Sequence, residues 1–135
     1  MRAKLETIEG IGLVYAEKLR AAGIGSVKAL LRAGATPEGR KELEEKTGIG
    51  HEYIVDWVNR ADLMRVRGVG EEYSDLLEKA GVDTVVELAQ RNPDNLYEKL
   101  LEVNEEKRLV RRPPTRGMVA RWVEHAKILP RVVSY

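Results

Sequence analysis

The sequence predicts an all-α protein built by internal duplication, and three features of the chain predict it. IEGIGLVYAEKLRAAGIGSVKALL, residues 8–31, recurs as VRGVGEEYSDLLEKAGVDTVVELA, residues 66–89, at a constant shift of 58 positions without a gap. Each copy joins a Gly-apolar-Gly turn to apolar residues at helical spacing, such as Tyr15, Leu19 and Ala22 at i, i+4 and i+7. A further Gly-apolar-Gly turn, Gly48, Ile49 and Gly50, precedes Ile54, Trp57, Val58 and Ala61 at i, i+3, i+4 and i+7, so the first half holds two turn-plus-helix units.

The elements follow in order. Residues 1–7 allow no more than a turn of helix ahead of the first glycine turn. A helix from Leu13 to Ala22 ends at Gly23, where a left-handed C-terminal residue is expected, and Ile24 packs back on it. Ser26 starts a short helix, Val27 to Arg32; in the second copy Thr84 and Glu87 have the spacing of a capping box. Thr36 and Pro37 then suit the N-cap and first position of a charged helix, Glu38 to Lys46, and Asn92 and Pro93 play the same part later. After Gly50 comes a helix from His51 to Ala61, with Asp62 expected to cap the Leu63-Met64-Arg65 turn that leads into Gly68. Its counterpart, Val119, Trp122, Val123 and Ala126, lies at a shift of 65, which puts about seven extra residues between Asn92 and Arg116. There the glycine turn has become Pro113, Pro114, Thr115, Arg116 and Gly117. Pro130 stops the last helix, and Arg131 to Tyr135 is expected to be extended. Two halves result, 1–64 and 65–135, with continuous helix expected to join them around residues 51–66.

The turns resemble the helix-hairpin-helix motif, whose Gly-apolar-Gly turn grips DNA backbone without reading sequence in many repair, recombination and replication proteins. The fold implied is a bundle of duplicated helix-hairpin-helix pairs, of the SAM/helix-hairpin-helix-like kind. Over nearly its whole length the chain also resembles the bacterial domain-of-unknown-function family 4332. The stretches that carry this are IEGIGLVYAEKLRAAGI, ADLMRVRGVGEEYSDLLEKAGVDTVVELAQRNPDNL and VARWVEHAKILPRVVSY. This second resemblance implies a fold and no activity.

At 135 residues and 43% apolar composition the chain can build a real core. No apolar run is long enough to span a membrane, and MRAKLETIEG has no charged-then-apolar signal, so a soluble cytoplasmic protein is expected. The lack of Cys removes disulfides, thiolate catalysis and thiolate metal sites. His51 and His125 have no ligand spacing, so neither a metal nor a cofactor is expected. No lyase Lys or Asp beside a base pocket stands out, which points away from an enzyme and from a small-molecule substrate.

The net charge of +1 conceals a marked asymmetry. From Lys107 onward there are eight basic residues and one acid, leaving 15 basic and 21 acidic residues in 1–106. A basic tail on an acidic body calls for an anionic partner or for docking of the tail on the body.

The glycine turns have two readings, a phosphate seat made by forward-pointing amides or a tight connection between packed helices. Gly10, Ile11, Gly12, Gly48, Gly50, Gly68 and Gly70 are the candidate contacts, although Glu71 and Glu72 oppose an anion beside Gly70. Lys107, Arg108, Arg111, Arg112, Arg116 and Arg121 are candidates to track a nucleic-acid backbone. Trp57 and Trp122 occupy equivalent apolar patterns and are expected in the core, as are Tyr15 and Tyr73. The expected function is therefore a non-enzymatic DNA-backbone-binding module of little sequence specificity. The alternative is a protein-interaction or scaffold module that keeps the hairpin fold without binding DNA.

Overall fold

The computed structural model describes residues 3–135; Met1 and Arg2, the start of the leading arm, lie outside the described residues. The described chain is all-helical. After a 3-10 turn at Leu5–Thr7 come α1 (Leu13–Ala21), α2 (Val27–Ala33), α3 (Pro37–Thr47), α4 (His51–Leu63), α5 (Glu71–Lys79), α6 (Val85–Ala89), α7 (Pro93–Lys107) and α8 (Arg116–Ile128). No helix among the described residues is long and apolar enough to cross a membrane. The chain divides into two compact units, one reaching to Asp62 and regaining Val132–Tyr135, the other Leu63–Arg131.

In the first unit, Ile8, Leu19, Leu30, Ile54 and Trp57 are buried at the centre. Helix α1 ends in a Schellman motif, since the Ile24 amide donates to the Leu19 carbonyl at 2.9 Å around a left-handed Gly23. Ser26 and Thr36 cap α2 and α3, accepting from the amides of Ala29 at 3.1 Å and Gly39 at 3.0 Å. Asp62 is buried inside α4, which runs on to Leu63. Leu63, two positions beyond Ala61, is fully buried.

Residues 132–135 finish this unit. Val133 is buried, the Ser134 amide donates to the Ala35 carbonyl at 2.8 Å, and Arg40 Nη2 donates to the Ser134 carbonyl at 2.7 Å. The same guanidinium gives Nη1 to the Gly34 carbonyl at 2.8 Å and lies 5.1 Å from the Tyr135 ring centroid. Tyr135 also hydrogen-bonds Asn59 through its hydroxyl. Arg40, in a helix whose composition reads as solvated, is thereby buried to 4% exposure.

The second unit repeats these local hydrogen bonds. Val82 donates to Leu77 around a left-handed Gly81, as Ile24 does to Leu19, and both bonds are 2.9 Å. Thr84 caps α6 from the Glu87 amide at 3.2 Å, while the Glu87 carboxylate accepts from the Asp83 amide at 3.4 Å. Asn92 caps α7 with Pro93 at the first helical position, and Thr115 caps α8. Leu76, Leu77, Leu88, Leu96, Leu100, Val119, Trp122 and Val123 form its core.

The extra residues of this unit are located by comparing helix lengths. Helix α7 has 15 residues against 11 in α3, and the connection that follows covers 108–115 instead of 48–50. These nine additional residues change the offset from 56, between Pro37 and Pro93, to 65, between His51 and Arg116. Asn104 organises the longer connection: its Oδ1 accepts from the Val110 amide at 2.9 Å and its Nδ2 donates to the Val110 carbonyl at 3.2 Å. This amide side chain acts as a substitute strand and lets Val110 be buried in an irregular segment.

Candidate nucleic-acid interface

The first and second glycines of each turn have different surroundings. Gly10 and Gly68 are left-handed, with φ of 96° and 88°. A Cβ there would lie 3.3 Å from Trp57 Nε1 and 3.2 Å from Trp122 Nε1 respectively. Both glycines serve the core, where the backbone must bend beneath a buried indole. Each indole also has a tyrosine beside it, Tyr15 and Tyr73, with ring centroids 5.1 Å away in both cases. Ile11 is buried and its amide is already committed to the Ile8 carbonyl at 3.0 Å, as Val69 is to Val66.

Gly12 and Gly70 have none of these constraints. Their φ values are −87° and −114°, ordinary for any residue, and a Cβ on either would meet nothing within 4 Å. They are the N-caps of α1 and α5, and neither helix has a side-chain cap. By contrast, Ser26, Thr36, Thr84, Asn92 and Thr115 each accept a backbone N–H at the head of α2, α3, α6, α7 and α8. The first amides of α1 and α5 are the donors a capping side chain would otherwise take, and they carry the positive end of the helix dipole.

The third turn is more closed. Gly48 is the left-handed C-cap of α3, with its amide on the Glu44 carbonyl at 2.8 Å, and Thr47 Oγ1 accepts from the Ile49 amide at 3.2 Å. His51 Nδ1 meets Glu44 Oε2 at 2.6 Å, which sets a carboxylate beside Gly50. The corresponding position after α7 is Arg108, left-handed at φ 52°.

The basic candidates separate into three environments. Lys107, at the end of α7, and Arg108, Arg111 and Arg112, on the connection after it, are exposed and make no ion pair among the described residues. The Tyr73 hydroxyl donates to the Arg112 carbonyl at 2.9 Å, fixing this connection to α5, the helix headed by Gly70. Arg116 faces elsewhere, on Asp94 at 2.8 Å and Glu98 at 3.2 Å, with its guanidinium 4.5 Å from the Tyr97 centroid. The hydrogen bond that its guanidinium donates to the Asp94 carboxylate holds its pKa above the usual arginine value. Arg121 lies on α8 beside a groove about 760 Å³ in volume, with Arg67, Gly68 and His125. Acids enter the picture at α5, where Glu71 and Glu72 occupy the first turn. At the head of α1 the exposed residues are apolar, Leu13 at 68% and Val14 at 65% exposure.

A match to the family model described as a domain of unknown function, DUF4332, covers residues 9–129. The chain belongs to the DUF4332 family. Neither the curated proteins nor the solved structures contain a match to it. The DUF4332 stretch takes in all three glycine turns and the basic connection.

Proposed function

We infer that this DUF4332 chain is a non-enzymatic module of duplicated helix-hairpin-helix pairs that holds nucleic-acid backbone, DNA in the first instance, with little sequence preference. One observation carries this reading: Gly12 and Gly70 lack a side chain where neither φ nor packing requires it, and no side chain caps α1 or α5. A bare N-cap keeps the first-turn amides open to an acceptor from outside, and a phosphate oxygen suits both their geometry and the dipole. Lys107 at the end of α7, with Arg108, Arg111 and Arg112 on the connection tied to α5, supplies the sequence-independent attraction. The repeated cap and turn bonds at a 58-residue offset support the duplicated-pair architecture.

A protein-interaction role is the second reading, and the exposed Leu13 and Val14 at the head of α1 favour it. The discriminating experiment is fluorescence anisotropy of labelled duplex, single-stranded and branched DNA at low and near-physiological salt. Binding tighter than about 10 μM at physiological salt, with a clear salt slope, is the expected result. Absence of binding at low salt would overturn the nucleic-acid reading.

A further inference from the structure

The groove beside Gly68 has a composition that backbone binding does not use. Met118, Trp122, His125 and Ile128 line it along α8, spaced i, i+4, i+7 and i+10, so the stripe runs for about 15 Å, nearly three helical turns. Ile128 stands 78% exposed at one end. Arg67 and Arg121 stand at its sides, and neither guanidinium makes an ion pair among the described residues. The lining acid, Glu124, is engaged by Lys127 at 3.1 Å. His125 is fixed in place, its Nδ1 accepting the Arg67 amide at 2.9 Å.

Several equivalent positions in the first unit pair with each other. Tyr53 stands where Met118 does and packs on Tyr15 and Trp57, with centroids 5.7 Å and 6.0 Å away. Asp56 replaces Arg121 and pairs at 3.1 Å with Arg60, which replaces His125. Glu9 replaces Arg67. The second unit has thus exchanged two acids for two arginines and a stacked tyrosine for a methionine.

We propose that this groove docks an acidic amphipathic helix of a partner protein. Its apolar side chains would lie along Met118 and Ile128, and its flanking carboxylates on Arg67 and Arg121. The length of the stripe and its helical spacing match helix-in-groove recognition. Charge complementarity selects the acidic class. A nucleobase is a poorer occupant, because the indole of Trp122 is 2% exposed and the most exposed side chain of the stripe, Ile128, is aliphatic. Methionine adds an adaptable surface of the kind found in helix-binding grooves.

The test uses the full chain with labelled Met and Ile methyl groups and a synthetic helical peptide of about 20 residues, with Leu at i, i+4, i+7 and i+11 flanked by Glu. The peptide is expected to shift the Met118 and Ile128 methyl resonances. Arg67→Glu with Arg121→Glu should weaken it by about tenfold, as should Ile128→Asp, whereas Arg111→Glu with Arg112→Glu should leave it unchanged. All these side chains are exposed, and circular dichroism verifies folding of each variant. A lack of methyl shifts at about 1 mM peptide would overturn the proposal, as would equal binding to the double arginine variant. So would perturbation of the same methyls by anionic phosphatidylglycerol vesicles or a single-stranded oligonucleotide when the peptide has no effect. DNA binding is read separately by anisotropy, so either proposal can fail without the other.

Discussion

Replacing Gly12 and Gly70 together by Asp should strengthen the fold and weaken nucleic-acid binding. Both residues have the extended backbone of an N-cap, at φ −87°, ψ −173° and φ −114°, ψ −152°, so an Asp side chain can reach the third amide of the helix without strain. A capping oxygen gains a few tenths of a kcal/mol over glycine. Its charge at the positive end of the dipole adds about 0.3–1 kcal/mol. The gain should be larger at Gly12, because α1 has no acid in its first turn, than at Gly70, where Glu71 and Glu72 already face the dipole. Thermal unfolding should therefore move upward by several degrees, at about 4–8 °C per kcal/mol for a domain of this size.

Binding should move the other way. The new carboxylates would occupy the amides that a phosphate needs and would repel the phosphate itself. The two added carboxylates, set against the phosphates, should also flatten the slope of log K against log salt. A Kd raised by about tenfold or more, read by anisotropy at three or four salt concentrations, is the expected outcome. The neutral pair Gly12→Ser and Gly70→Ser should give the same direction with a smaller change, since the hydroxyl blocks the seat without adding charge. A folded Asp variant that binds with wild-type affinity and slope would refute the seat at α1 and α5. A lowered melting temperature would refute the structural premise that these glycines are free of internal constraint.

Three other perturbations are informative. Arg111→Glu with Arg112→Glu should weaken binding to every DNA sequence alike and reduce the salt slope by about 2; unchanged anisotropy curves would remove the connection after α7 from the interface. Glu71→Gln with Glu72→Gln should strengthen binding several-fold at low salt if a phosphate approaches α5, and no change would place the contact elsewhere. Gly68→Ala should destabilise the chain by about 1–3 kcal/mol in denaturant unfolding, because φ 88° disfavours a Cβ that would also lie 3.2 Å from Trp122 Nε1. Gly70→Ala, facing open space, should cost far less, and equal losses would contradict the division of roles within the turn.

Local chemistry was the legible part of this fold. Gly23 as a left-handed helix end, Ser26, Thr36, Thr84 and Asn92 as caps, and Trp57 and Trp122 in the core all depend on residues within one or two turns, and the structure has each of them. What the sequence concealed is non-local. Arg40 belongs to a charged stretch, and only the arrival of Ser134 and Tyr135 from 94 and 95 positions away buries it. Arg116 reads as one more member of a basic run, yet Asp94 and Glu98 lie one turn apart on α7 and take its guanidinium between them. Asp62 looked like a helix start because it precedes a short apolar turn; burial of Leu63 extends α4 past it.

The candidate site shows the same division at the scale of two adjacent glycines. A Gly-apolar-Gly turn invites one explanation for both glycines, but the first bends the chain under an indole and the second faces solvent at a helix start. These demands have different partners. Trp57 and Trp122 fix the first glycine whatever the protein binds, so its presence in a turn speaks only for the fold. At the second glycine stability favours Ser, Thr, Asp or Asn, which this chain places at five other helix starts, whereas the proposed phosphate seat favours Gly. Glycine at α1 and α5 leaves open donors that side chains close at α2, α3, α6, α7 and α8, so on the proposed reading Gly12 and Gly70 are the residues that test it. The basic connection has a supporting role, because an exposed cation acts over a Debye length and needs no defined geometry, whereas a row of amides does.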